Sequence, residues 1–136
     1  MLDLPPHLRA QFEAEARAAY PRECCGLIEG VAAGEVVRAT ALHPTRNMAT
    51  QSDRFEVDPA EHLRLLRALR GTGHGIVGCY HSHPGGRAQL SARDRDCITD
   101  DGFLWLVLGA GDTLAAYACG PGGGNAISPI PLAPIV

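Results

Sequence analysis

GIVGCYHSHPGGRAQLSARD, residues Gly75 to Asp94, is the stretch on which the reading of the whole chain turns. Its apolar opening has the character of a strand, and on a strand residues two apart share a face. His81 and His83 therefore project together, and Ser82 points away. Pro84, Gly85 and Gly86 then let the chain reverse. Ser91 stands three residues before Asp94, the spacing of a helix start, which puts Asp94 in a first helical turn beside the strand end. Two imidazole nitrogens and a carboxylate oxygen can thus meet at one point. Zinc takes such ligands at about 2.0–2.1 Å, and a catalytic zinc keeps one position open for water. Taken separately, the paired histidines read as exposed strand residues and Ser-x-x-Asp as a common helix start. Only the combination, with Pro-Gly-Gly between, points to a metal centre.

Upstream, LPPHLRAQFEAEARAAYP opens with prolines suited to a helix start, sets Leu8, Phe12, Ala16 and Ala19 on one face, and stops at Pro21. CCGLIEG reads as a short buried strand. Gly30 and the Ala-Ala-Gly that follows predict a turn into a second strand, EVVRATALHP, to make a hairpin. HPTRNMATQSDRF is polar and irregular, and a surface loop is expected. In EVDPAEHLRLLRALRGTG, Asp58 is the expected N-cap, Pro59 the first residue of a second helix and Gly71 its stop. Leu65, Leu66 and Leu69 are its expected apolar face, opposite Arg64, Arg67 and Arg70, with Leu63 only partly covered.

Downstream, SARDRDCITDD predicts a third helix. FLWLVLGAGDTLAAYAC predicts two strands around Gly-Ala-Gly-Asp, and GPGGGN a turn. Three prolines confine AISPIPLAPIV to an edge strand or an extended tail. This tail is expected to pack on the chain's own sheet, with a homodimer contact as the alternative. Short strands grouped with three helices give an α+β fold, a mixed and mainly antiparallel sheet flanked by helices, as one domain over residues 1–136.

At 136 residues, with 46% apolar and 20% charged side chains, a packed domain around one core is expected. A net charge of −3 with scattered basic residues argues against binding nucleic-acid backbones, which needs clustered Lys and Arg. FLWLVLGA is far short of the roughly 20 apolar residues that span a bilayer, and the N-terminus lacks a signal pattern. Five cysteines, an odd number with no CxxC pair, suggest a reduced, cytoplasmic setting. His7, His43, His62, His74 and Trp105 read as structural or surface residues.

HSHP, followed by SARD after the seven residues Pro84 to Leu90, resembles the JAMM (MPN+) metalloprotease signature His-x-His-x7-Ser-x2-Asp. YPRECCGLIEG is similar to the segment that carries the family's glutamate, and the order helix, hairpin, helix, HxHP strand fits as well. Only the Pro-rich tail falls outside the resemblance. It implies the layered JAMM/MPN fold, similar to that of cytidine deaminase, with Zn2+ held by His81, His83 and Asp94. It implies Glu23 as general base and acid, and Ser91 as a group that helps hold the oxyanion or the water. Geometry alone leaves Glu29 as open as Glu23. Six extended residues set the two about 20 Å apart, so only one can reach the metal, and the resemblance selects Glu23.

The implied reaction is hydrolysis of peptide or isopeptide bonds beside the C-terminal tails of ubiquitin-like proteins. Cys79 stands where the large deubiquitinating members commonly have tryptophan. The chain is more similar to the small bacterial members, which trim ubiquitin-fold sulfur-carrier proteins, so a carrier of that kind is the expected partner. Two other readings stand beside this one. A non-catalytic scaffold of the same fold is opposed by the complete set of motif residues. A thiol hydrolase using Cys79, on the histidine face of its strand, is opposed by the usual inertness of buried cysteine.

Overall fold

One sheet with apolar side chains on both faces organises the molecule. A computed structural model describes residues 1–50, 56–90, 103–120 and 127–133. Among these, seven strands form a single sheet in the order β1-β3-β2-β4-β5-β6-β7. In chain order they are β1 (Leu2–Asp3), β2 (Cys25–Ala33), β3 (Val36–Thr45), β4 (Gly75–Ser82), β5 (Leu104–Leu108), β6 (Leu114–Cys119) and β7 (Ile127–Ile130). Helix α1 (Pro6–Ala19) follows β1, and α2 (Pro59–Leu69) precedes β4. The β1–β3 and β4–β5 pairs are parallel and the others antiparallel.

Central strand β5 shows why the apolar run FLWLVL is unbroken. Leu104, Leu106 and Leu108 join Leu8, Phe12, Ile28 and Tyr80 on one face, while Trp105 and Val107 join Leu27 and Cys79 on the other. A strand covered on both faces needs apolar residues at consecutive positions. The first cluster docks α1. Leu8 and Phe12 are buried, and the Phe12 ring meets Tyr80 edge-on at a centroid distance of 4.8 Å. The Tyr80 hydroxyl donates to Glu15 Oε1 at 2.6 Å. Burial, and then the Glu15 carboxylate, push this hydroxyl far above the tyrosine range, so it remains a donor.

The chain closes on itself at the sheet's ends. Leu2 N–H donates to Pro131 O at 3.0 Å, and Ala133 N–H donates to Leu2 O at 2.8 Å. The segment after edge strand β7 thus meets β1, the other outermost strand, which satisfies edge groups that are otherwise open to pairing. The expected edge strand and the packing of the tail on its own sheet are both observed. No helix among the described residues is long and apolar enough to cross a membrane.

The second helix begins as expected: Asp58 Oδ1 accepts from Ala60 N–H at 2.9 Å, and Pro59 is the first helical residue. It ends at Leu69, ahead of Gly71 with φ +78°. Three expectations need correction. Gly30 does not end β2: the strand runs to Ala33 through a bulge at Glu29/Gly30, and the turn lies at Gly34 and Glu35. The strand β3 runs on to Thr45, so the expected strand EVVRATALHP holds at His43 and Pro44 and the expected loop begins later than HPTRNMATQSDRF placed it. Leu66 is 49% exposed, because α2 leans on the sheet along the line of Leu65, about 100° around the helix from Leu66. The helix predicted over residues 91–101 lies outside the described residues, as does most of the GPGGGN turn.

Phe12 is fully buried against Tyr80, so Phe12→Ala is expected to lower the unfolding free energy by about 3–5 kcal/mol in urea titration.

Candidate metal centre

The site forms where the start of β2 and the end of β4 run antiparallel, with Cys25 opposite His81 and Gly26 opposite Tyr80. The pairing extends one residue past β2. Ser82 N–H donates to Cys24 O at 3.1 Å, and Cys24 N–H donates back to Ser82 Oγ at 2.9 Å. This reciprocal pair carries Glu23 alongside the HxH segment. Asn47 fixes the same segment from the other side. Its Nδ2 donates to Glu23 O at 2.9 Å, and its Oδ1 accepts from Ala49 N–H and Glu56 N–H, both at 3.0 Å.

His81 and His83 share a face as the strand alternation predicts, and Ser82 lies on the other. Their Nε2 atoms stand 3.0 Å apart. One ligand atom each from Glu23, His81 and His83 falls within 4.8 Å of the others. Glu23 is 5% exposed and His81 fully buried. Two ligands of a tetrahedral zinc at about 2.0–2.1 Å stand about 3.4 Å apart, so the imidazole pair fits such an ion with little movement. The borderline-soft nitrogen donors and the adjacent carboxylate also suit zinc better than calcium or magnesium. His81 packs edge-on against Trp105 with centroids 5.8 Å apart. His83 Nδ1 lies 3.0 Å from Arg87 O. A carbonyl oxygen can only accept, so Nδ1 carries the proton and Nε2 keeps its lone pair.

Ser91 and Asp94 lie outside the described residues. Glu29 is engaged elsewhere. Its carboxylate meets His43 Nε2 at 2.8 Å and His74 Nδ1 at 2.7 Å, with Thr40 Oγ1 donating at 3.3 Å. This arrangement fastens β2 and β3 to the turn before β4, so His43 and His74 have the structural character read from the sequence. Ser82 and Asn47 were not singled out from the sequence. Strand alternation turns Ser82 away from the histidines, and nothing in the spacing marks an asparagine in a polar segment. Burial pushes the Cys24 thiol up to about 11 and raises Cys25 as well, so neither is a ready thiolate at neutral pH. Cys79 is buried among Leu27, Trp105 and Val107.

The family described as prokaryotic homologs of the JAB domain matches residues 5–120. This chain belongs to that family. A relative from Haloferax volcanii, named desampylase, is 34% identical over 98 residues, covering 71% of this chain and 69% of the relative. A Thermus thermophilus relative, named as a probable TtuB-protein conjugate cleaving protease, is 33% identical over 95 residues, covering 69% of this chain and 61% of that one. The crystal structure of AF2198, a JAB1/MPN domain protein from Archaeoglobus fulgidus, superposes with a TM-score of 0.59 at 17% identity. That alignment covers 97% of this chain and 94% of that one, and it supports the α+β JAB/MPN fold alone.

Burial alone would raise the Glu29 carboxyl, but hydrogen bonds from His43 and His74, with the His43 charge, outweigh it and hold it below the usual value of 4.5. A depressed folded pKa gives stability that is present above the unfolded pKa and lost as pH falls through the folded one. Urea titrations from pH 6 downward should therefore show stability dropping below about pH 4.5, with a shallower drop in Glu29→Gln.

Proposed function

We propose that this JAB-family chain is a zinc-dependent peptidase or isopeptidase. On this reading it hydrolyses amide bonds at the C-terminal tails of ubiquitin-like sulfur-carrier proteins. The observation that carries the reading is the buried meeting of Glu23 with His81 and His83 within 4.8 Å. The names of the two relatives support the substrate class. The whole chain is read as one catalytic domain working in the cytoplasm, as the cysteine usage suggested.

In the mechanism, His81, His83 and Asp94 would hold the zinc. When bound, zinc supplies Lewis acidity and a water that loses its proton near neutral pH. The Glu23 carboxylate would take a proton from a water as the water oxygen attacks the amide carbon. It then returns the proton to the amide nitrogen as the C–N bond breaks, leaving a free amine and a carboxylic acid. Ser91 would donate to the oxygen on which charge develops, where a fixed donor lowers the barrier most. The hydrogen bonds between Cys24 and Ser82 hold the backbone next to Glu23. Clefts of about 420 Å³ and 340 Å³ open on Glu23 and on His83 respectively. A slim, extended Gly-Gly tail suits such clefts better than a bulky side chain does.

The test uses zinc-loaded protein and small Gly-Gly-ended carrier proteins, each extended by a few residues, with products read by mass spectrometry. Cleavage after the Gly-Gly pair is expected. Glu23→Gln should retain zinc and lose about 10²–10⁴-fold in turnover. A zinc-loaded Glu23→Gln variant of full activity removes Glu23 from its role, and zinc-loaded protein that cleaves no carrier favours a non-catalytic scaffold.

A further inference from the structure

The turn after the HxH segment is held against the end of β5 with unusual closeness. His83 N–H donates to Leu108 O at 2.8 Å, Gly86 N–H to His83 O at 3.0 Å, and Ala110 N–H to Gly86 O at 2.7 Å. The Tyr117 hydroxyl, from β6, donates to Ala88 O at 2.8 Å. Beneath this turn lies Gly109. A Cβ on Gly109 would stand 2.4 Å from Ala88 N, 2.7 Å from Arg87 C and 2.9 Å from Gly86 O. All three atoms are backbone, so no side chain can swing aside to make room. The first two belong to the peptide unit whose carbonyl oxygen faces His83 Nδ1 at 3.0 Å.

We propose that Gly109 and Tyr117 are positioning residues for His83. Together they seat the Arg87–Ala88 peptide so that its carbonyl accepts from His83 Nδ1 and leaves Nε2 turned toward His81 and Glu23. Gly109 acts by having no side chain, and Tyr117 by anchoring the next carbonyl along. A carbonyl that orients a ligating imidazole fixes both its tautomer and its ring angle, and loss of such a partner costs about 10–100-fold in metal affinity. The inference rests on the reading above that His83 holds zinc. It assigns to β5 and β6, distant in sequence from the motif, the aim of one of its ligands.

The test measures zinc affinity by chelator competition in the full chain, for wild type, Gly109→Ala, Tyr117→Phe and the control Gly75→Ala. A Cβ at Gly75 meets nothing within 4 Å. Gly109→Ala should bind zinc about tenfold or more weakly, and Tyr117→Phe a few-fold more weakly, with the control unchanged. Nitrogen-15 spectra of the zinc-loaded proteins should show a protected His83 Nδ1–H in wild type and control, weakened in both variants. A purely structural role would lower melting temperature without moving this signal. Folded variants with wild-type affinity and an unchanged Nδ1–H overturn the proposal, and if Gly109→Ala does not fold, Tyr117→Phe decides it. Wild-type protein that binds no zinc at this site sinks the proposed function itself, whereas equal binding by all four proteins sinks only this inference.

Discussion

The hydrogen bonds exchanged between Ser82 and Cys24, at 3.1 and 2.9 Å, are the constraint on which the candidate site depends. They lengthen the β2–β4 pairing by one step beyond the regular strand. Without that step Glu23 would leave the sheet at the β2 entrance and would not be held beside His81 and His83. The side chain of Ser82 achieves this from the face opposite the histidines. One strand end therefore serves two purposes, because consecutive residues point to opposite sides. His81 and His83 offer nitrogens on one face, and Ser82 ties down the neighbouring chain on the other.

This arrangement places polar groups where they are expensive. Glu23 and His81 are withdrawn from water, and taking a carboxylate from water costs several kcal/mol unless partners compensate. Asn47 and Ser82 bond the backbone around Glu23 and so fix its place. A cation between the two imidazole nitrogens would offset the same cost and would couple metal binding to folding stability. The apolar faces of the sheet bear the corresponding load. Phe12 and Tyr80 lock α1 on one side, while Trp105 backs His81 on the other. Glu29 shows the contrasting use of an acid: two imidazoles and a hydroxyl occupy its oxygens, and it serves as a fastening.

Much of this was legible in the sequence wherever a local rule applied without competition. The pairing of His81 with His83 follows from period-two alternation, the start of α2 from Asp58 and Pro59, and the doubly covered β5 from its unbroken apolar run. Legibility ended where tertiary contacts overrode local ones. Gly30 reads as a turn but sits in a bulge, since it is paired with β4 at Gly75 and pairing with β3 carries β2 onward to Ala33. Leu66 reads as core, yet the helix tilts it outward. Asn47, Ser82 and Gly109 act through backbone groups far away in the chain, which no short-range pattern encodes. The choice between Glu23 and Glu29 lay beyond geometry at the sequence level, and the fold engages the two acids in separate clusters. The helix expected to carry Asp94 lies outside the described residues.

The most direct measurement of the central claim is anomalous X-ray diffraction at the zinc absorption edge from crystals of the zinc-loaded protein. The account predicts one strong peak about 2.0–2.1 Å from the Nε2 atoms of both His81 and His83, with the Glu23 carboxylate facing it. A peak at His43 and His74 instead, or density at the HxH segment that only one of the two imidazoles reaches, would contradict it.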